Sequence, residues 1–326
     1  MEVVRTRKGR GAIVCDTDQG CLIMKEYTGN IDRIELQDRL LKKIAENGLI
    51  HAERIIPTRE GMLFLRDADG VAYVLKTWLE SRECNIYDRG ECAQVVRLLA
   101  QLHQCMQLPC DTPGIPDRLS PEKEYEKHNR ELKKVKKYLK QKGQKSWFEI
   151  SLLNSFDYFL EQALMVTEEW KGYSGSLSAE DRRPEGATVA FCHGDYQYHN
   201  ILRENGGWFL VNFEKCLSDE PIRDLYLRLR KLLEKGNWSV ALGSELMAAY
   251  EKESPLSAVS MIDLYYRLAY PEKFWKIANF YYNSGKAWIP GRNQEKLEKL
   301  IAQEKDKQRF LDEVFRDVSR MRKLKE

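Results

Sequence analysis

No apolar run in this 326-residue chain reaches the length of a membrane-spanning helix, and its first residues lack the apolar core of a signal peptide. A spanning helix needs about 20 consecutive apolar residues, so membrane insertion is not expected. Net charge is also small: 53 Lys and Arg against 50 Asp and Glu leave +3, which argues against nucleic acid as the defining partner. None of the eight cysteines stands in a Cys-x-x-Cys pair. Neither a zinc site nor a thioredoxin-like motif is therefore indicated, and buried reduced thiols are expected. Internal repeats and low-complexity segments are absent. What is present is apolar material for a sizeable core, 43% of residues, in a length that suits two domains or one large two-lobed one.

The reading centres on His193-Gly194-Asp195-Tyr196-Gln197-Tyr198-His199-Asn200, followed by Val211-Asn212-Phe213-Glu214. In phosphotransferases of the kinase kind, an Asp accepts the substrate hydroxyl proton and an Asn shortly after it holds magnesium. An Asp-Phe-x turn further on holds the metal that bridges the ATP phosphates. Asp195 and Asn200 have the required five-residue spacing, and the second turn arrives twelve residues after Asn200. Asn212 puts an amide there in place of a carboxylate. Phosphoryl transfer depends mostly on positioning and charge stabilisation, and magnesium prefers hard oxygen ligands, at least one normally anionic. Asn200 and Asn212 offer neutral carbonyl oxygens as metal ligands, and Glu214 is the nearest anion to compensate.

Upstream, Glu2 to Thr6 reads as a strand and Arg7-Lys8-Gly9-Arg10-Gly11 as a basic glycine turn. Ala12 to Asp16 and Cys21 to Tyr27 form a hairpin around Asp18-Gln19-Gly20. Strand, glycine turn, then a strand bearing Lys25 is the order in which a kinase covers the phosphates and presents a lysine to them. Gly9, Gly11 and Lys25 are accordingly expected at a nucleotide. Ile34, Leu40, Leu41 and Ile44 mark one face of a helix ending near Asn47-Gly48. Glu35, near its start, is either the partner of the strand lysine or an acid placed on the helix dipole. Met62 to Leu65 and Val71 to Leu75 read as two further strands around Asp67 to Gly70. Lys76-Thr77-Trp78-Leu79-Glu80 reads as a hinge, offering backbone to an adenine and Trp78 or Leu79 for packing. Lys76 competes with Lys25 as the nucleotide lysine. Lys25 is preferred, since the glycine turn precedes it and a helix follows.

Beyond residue 85 the patterns are helical. Val95, Leu98, Leu99 and Leu102-His103 share one face, and a proline-rich break follows. Residues 122–145 carry ten basic against four acidic residues, either a partner or substrate surface or a solvated face. Residues 150–170 form another helix, and Gly172 to Gly186 a flexible connector. Asp224 either braces the catalytic loop by accepting its backbone hydrogen bonds or is a helix N-terminal acid. The aromatic run from Tyr265 to Trp288 reads first as core, with a cation-holding acceptor pocket as the alternative. Residues 294–326 form a charged terminal helix with Phe310, Val314, Phe315 and Val318 as its apolar stripe.

The His193-Gly194-Asp195 to Asn200 stretch, Leu102-His103 and Asp224-Leu225 resemble the aminoglycoside phosphotransferase and choline kinase group. The chain resembles still more closely the CotS family of bacterial spore coat proteins, over nearly its whole length. Arg10-Gly11 with Thr17 to Gly20, Tyr73 to Lys76, Arg82-Glu83-Cys84, Asp224-Leu225-Tyr226 with Arg230-Lys231, and Arg267 to Trp275 carry this likeness. The resemblance implies an α+β, two-lobed protein-kinase-like fold. A small antiparallel-sheet N-lobe would span residues 1–76, and a larger helical C-lobe residues 77–326, with the catalytic-loop-like segment at 193–214. It raises ATP and Mg2+ as cofactors and other spore coat proteins as partners, with location in the mother-cell cytoplasm and then the spore coat. Phosphate-transferring members of the wider group carry Asp where this chain has Asn212, and losing one charge-stabilising contact costs on the order of 10²–10³ in rate. The expectation is thus a coat component that binds nucleotide with weak or absent phosphotransfer. An active ATP-dependent small-molecule kinase acting on a hydroxyl, and an interaction module without nucleotide, are the alternatives.

Overall fold

The computed structural model describes residues 1–9, 11–113, 115, 120–177, 188–284 and 291–318. Arg10 of the glycine turn, residues 178–186 of the connector, Trp288 and the end of the terminal helix lie outside the described residues. The chain divides into two compact units. The first comprises Met1–Arg118, Ala187–Arg228 and Glu245–Pro255, and the second Leu119–Gly186, Leu229–Ser244 and Leu256–Glu326.

The first unit opens with β1 Val3–Gly9, β2 Ala12–Thr17 and β3 Gly20–Glu26, then α1 Ile31–Asn47, β4 His51–Ala52, β5 Leu65–Arg66 and β6 Ala72–Thr77. Antiparallel pairing gives a five-stranded sheet in the order β1-β2-β3-β6-β5. Its register sets Ala12 opposite Lys25, and Ile23 opposite Lys76. Side chains alternate faces along a strand, so Lys25 and Lys76 are diagonal neighbours on one face. On β6, Ala72, Val74 and Lys76 are the buried residues, which puts a lysine where the alternation calls for an apolar side chain. The strand expected from Met62 shrinks to Leu65–Arg66. Thr58 takes the preceding backbone into a turn, with Met62 N–H on its side-chain oxygen (3.2 Å) and Gly61 N–H on its carbonyl (3.0 Å).

Asn30 caps α1 by accepting from Arg33 N–H, and Gly48 ends it at φ +72°, a conformation glycine adopts without a Cβ penalty. The same unit holds α2 Arg89–Cys105, β7 Gln107–Pro109, β8 Thr188–Cys192, β9 Ile201–Glu204, β10 Gly207–Leu210 and β11 Leu217–Ser218. Two small sheets, β4-β10-β9 and β11-β8-β7, frame residues 193–216. β8 delivers the chain to His193, the β9–β10 hairpin carries it out and back, and β11 closes onto β8 with Leu217 opposite Cys192. That closure sets residues 212–216 beside residues 193–195.

The second unit is helical in its described residues: α3 Pro121–Gln141, α4 Trp147–Ser176, α7 Ala258–Ala269, α8 Glu272–Asn283 and α9 Gly291–Val314. Between these in sequence, α5 Ile222–Lys235 and α6 Val240–Glu251 contribute residues to both units. A capping box between Ser146 and Glu149 starts α4, which runs on through the first five residues of the expected connector. Most of the described aromatic run is core, although Phe280 is exposed: Tyr265, Tyr270, Phe274 and Tyr281 are buried, Tyr270 stacks on Tyr125 at 4.4 Å, and Phe274 stacks on Phe159 at 4.6 Å. All eight cysteines are unpaired, six of them buried.

Candidate functional site

Every described member of the site belongs to the first unit. The loop at residues 193–200 is fixed from behind by Asp224, the buried first-turn acid of α5. Its carboxylate accepts from His193 N–H (2.6 Å) and Gly194 N–H (3.1 Å), and its Oδ2 lies 3.5 Å from His103 Nε2. Burial works against the Asp224 anion, yet the hydrogen bond and charge of His103, with the His193 contacts, hold its pKa below the usual value. Burial also lowers the pKa of His193, whose ring meets Val211 O at 3.1 Å and receives Asp195 N–H at 3.2 Å. Gly194 sits at φ +76°, and a Cβ there would lie 2.0 Å from Lys215 O. Only glycine lets the two segments approach this closely.

A second buried carboxylate, Glu53, does for the turn what Asp224 does for the loop. It accepts from Asn212 N–H (2.9 Å) and Phe213 N–H (3.0 Å), and also pairs with Lys76 Nζ at 2.9 Å. Lys76 and Glu53 are each 1% exposed, so this is a fully buried ion pair. Burial disfavours the Lys76 ammonium, but the charges of Glu53 and Glu214 raise its pKa on balance. Asn212 adopts φ +67° and ψ +55°, the left-handed region that Asn tolerates better than most residues.

The side chains between these anchors form one connected set. Lys25 Nζ donates to Asn212 Oδ1 (2.6 Å) and to Glu214 Oε1 (3.0 Å). Asn212 Nδ2 donates to Asn200 Oδ1 (2.6 Å), and Asn200 Nδ2 donates to Asp195 O (2.8 Å). Lys76 reaches the same Glu214 oxygen at 2.9 Å, and Lys215 pairs with Asp195 Oδ2 at 2.9 Å. Burial would raise the Glu214 pKa, but Lys76 and then Lys25 overcome it and hold it at about 2.

Asp195, Asn200, Asn212, Glu214 and Lys25 are thus brought together. Gly11, at φ +64°, turns the chain between β1 and β2 next to Ala12, the register partner of Lys25. Gly9 ends β1 opposite Ala12. Glu35 is a correction. It is exposed and lies 3.9 Å from Arg39, while Lys25 is taken by Asn212 and Glu214. Trp78 and Leu79 are half-buried just past β6, and Trp78 N–H is committed to Cys21 O at 3.0 Å. The two lysines do not compete, because both converge on Glu214. Glu53 and Lys215 are members of the site that sequence reasoning missed, and only Glu53 had a signal. The available signal was Lys76 itself, since a lysine at an inward position of an alternating strand requires a buried carboxylate.

A kinase fold implies ATP with magnesium. The donor set does not suit magnesium as it stands. Asn200 and Asn212, the two expected ligand positions, present neutral amide oxygens, each already accepting an N–H. The neighbouring carboxylates, Glu214 and Asp195, are held by lysines.

Comparison with known proteins agrees with this architecture. Spore coat protein S of Bacillus subtilis (strain 168) is 25% identical over 320 residues, covering 94% of this chain and 88% of that protein. An aminoglycoside phosphotransferase from Alicyclobacillus acidocaldarius subsp. acidocaldarius DSM 446 superposes with a TM-score of 0.83 at 19% identity, over 98% of this chain and 93% of that one. An amicoumacin kinase in complex with AMP-PNP, Ca2+ and Ami gives a TM-score of 0.61 at 13% identity, over 94% and 88% of the two chains. These likenesses establish the α+β kinase-like fold. The family described as "Spore coat putative kinase YutH" matches residues 4–314, and the chain belongs to it.

Proposed function

We propose that this protein is a spore coat component whose kinase-like site binds nucleotide with little or no magnesium-dependent phosphotransfer. The observation that carries this reading is the side-chain amide of Asn212, which links Lys25 to Asn200 where a metal-binding carboxylate is expected. Lys25 and Lys76 supply two ammonium groups, and phosphate oxygens would take the place of Glu214 as their partner. Membership of a spore coat family supports a place in the coat among other coat proteins. The braced loop bearing Asp195 favours a second reading, an active small-molecule kinase using a hydroxyl acceptor.

Thermal unfolding with and without ATP, each with and without Mg2+, separates the readings. A ligand that binds only the folded state stabilises it by RT ln(1 + [L]/Kd), about 2.7 kcal/mol at a hundredfold excess over Kd. An ATP shift that ignores magnesium is expected. A shift seen only with magnesium, accompanied by ATP turnover that Asp195→Ala abolishes, would favour the active kinase. No shift at all would mark a fold kept for assembly alone.

A further inference from the structure

We propose that the outer face of α3 is a docking surface for an acidic polypeptide segment of a protein partner. This inference is independent of whether the site binds nucleotide. Eight residues of α3 are exposed: Lys123, Lys127, Arg130, Lys133, Lys134, Lys137, Lys140 and the terminal Gln141. Seven of the eight are cationic and none is acidic. Lys123, Lys127, Arg130, Lys134 and Lys137 follow one another at alternating steps of four and three residues. They therefore form a continuous stripe about 20 Å long at 1.5 Å per residue. The opposite face, with Tyr125, His128, Leu132, Val135 and Leu139, is buried and fixes the stripe in place.

The acidic groups around α3 offset this stripe only in part, Glu126 acting on Arg130 and Asp157 on Lys140. On the helix itself, Glu122 and Glu124 lie in the first turn, Glu126 pairs with Lys171 at 2.9 Å, and Glu131 accepts from Trp275 Nε1 at 2.7 Å. From the packed helices, Asp157 pairs with Lys136, and Glu272 with Lys276 and His128. None of the seven exposed cations forms an ion pair among the described residues. Like charges three and four residues apart destabilise a helix, so this pattern works against the isolated fold. A partner of opposite charge relieves that repulsion.

The chemistry favours a polypeptide over other polyanions. The exposed positions of α3 carry no aromatic on which a base would stack and no apolar residue to enter a membrane interface. Carboxylates on one face of an acidic helix repeat with the same rise as the stripe.

The test is fluorescence anisotropy of the full chain with labelled poly-L-glutamate at low and raised salt. A single-stranded oligonucleotide and phosphatidylglycerol vesicles are run in parallel. The variant carries Lys127→Glu, Arg130→Glu, Lys134→Glu and Lys137→Glu, and a control carries Lys296→Glu and Lys299→Glu on α9. Salt-sensitive binding of poly-L-glutamate is expected, weakened roughly tenfold or more in the variant and far less in the control. Equal loss in variant and control, or no binding at low salt, would overturn the proposal. Tighter binding of the oligonucleotide or the vesicles at matched salt would also overturn it. If the charge-reversed chain does not fold, glutamines at the same four positions give the same readout.

Discussion

The loop at residues 193–200 and the turn at residues 212–215 are held by the same device and have diverged in chemistry. In each, a buried carboxylate takes two consecutive backbone N–H groups: Asp224 those of His193 and Gly194, Glu53 those of Asn212 and Phe213. The backbones of the loop and of the turn are therefore each anchored by a carboxylate. The loop keeps its acidic side chain at Asp195, whereas the turn presents an amide at Asn212 and commits its carboxylate, Glu214, to two lysines. Scaffold and ligand chemistry are separable here, because backbone anchoring depends on neither side chain.

The largest expected effect falls on the turn's anchor. Glu53→Ala leaves buried Lys76 with Glu214 alone as its carboxylate partner among the described residues, and leaves two N–H groups without an acceptor. It should cost about 3–5 kcal/mol in urea unfolding, at the upper end of that range. Asp224→Ala should follow at about 3–4 kcal/mol, since the loop's anchor supports no buried lysine. If Asp224→Ala proved much the more damaging, the two anchors would not be equivalent. Gly194→Ala probes the contact between the two segments. A left-handed φ and a Cβ driven into Lys215 O should together cost about 2–4 kcal/mol, read as a lowered Tm.

Glu214 sharpens the comparison through pH. Its folded pKa, about 2, lies below the ordinary 4.5, so its stabilising contribution is complete above pH 4.5 and is lost as pH falls toward 2. The stability gap between the native chain and Glu214→Gln should be about 3 kcal/mol at pH 6 and narrow steadily below pH 4.5. A gap unchanged down to pH 3 would show that the two lysines do not depend on this carboxylate. The smallest intrinsic effect belongs to Asn212→Asp, which loses the donor to Asn200 and gains a charge for Lys25. Its stability should change by about 1 kcal/mol or less. Its ATP-induced shift should become magnesium-dependent, which would place the divergence of loop and turn in this one side chain.

Much of this was legible from local pattern. Asn47-Gly48 ended α1 because a left-handed residue closes a helix, and the spacing of Ile34, Leu40, Leu41 and Ile44 identified its buried face. The strand expected from Met62 is shorter in the structure, because apolar composition cannot reveal that Thr58 has already taken the backbone into a turn. For Glu35, order along the chain leaves the lysine partner and the helix-dipole acid both open, because it carries no information about which way a helix face points.

By itself, the sequence determined the opening strands and the helix that follows them, the Asp195 to Asn200 spacing, the amide at 212 and the cationic face of α3. Each is a property of neighbours along the chain. Tertiary structure alone decided that Lys25 and Lys76 meet on one carboxylate and that Glu53, 159 residues before Asn212, anchors the turn. Those pairings depend on strand register and on the closure of β11 onto β8. Register is fixed by which faces are buried across the whole sheet, and no local window of residues contains it.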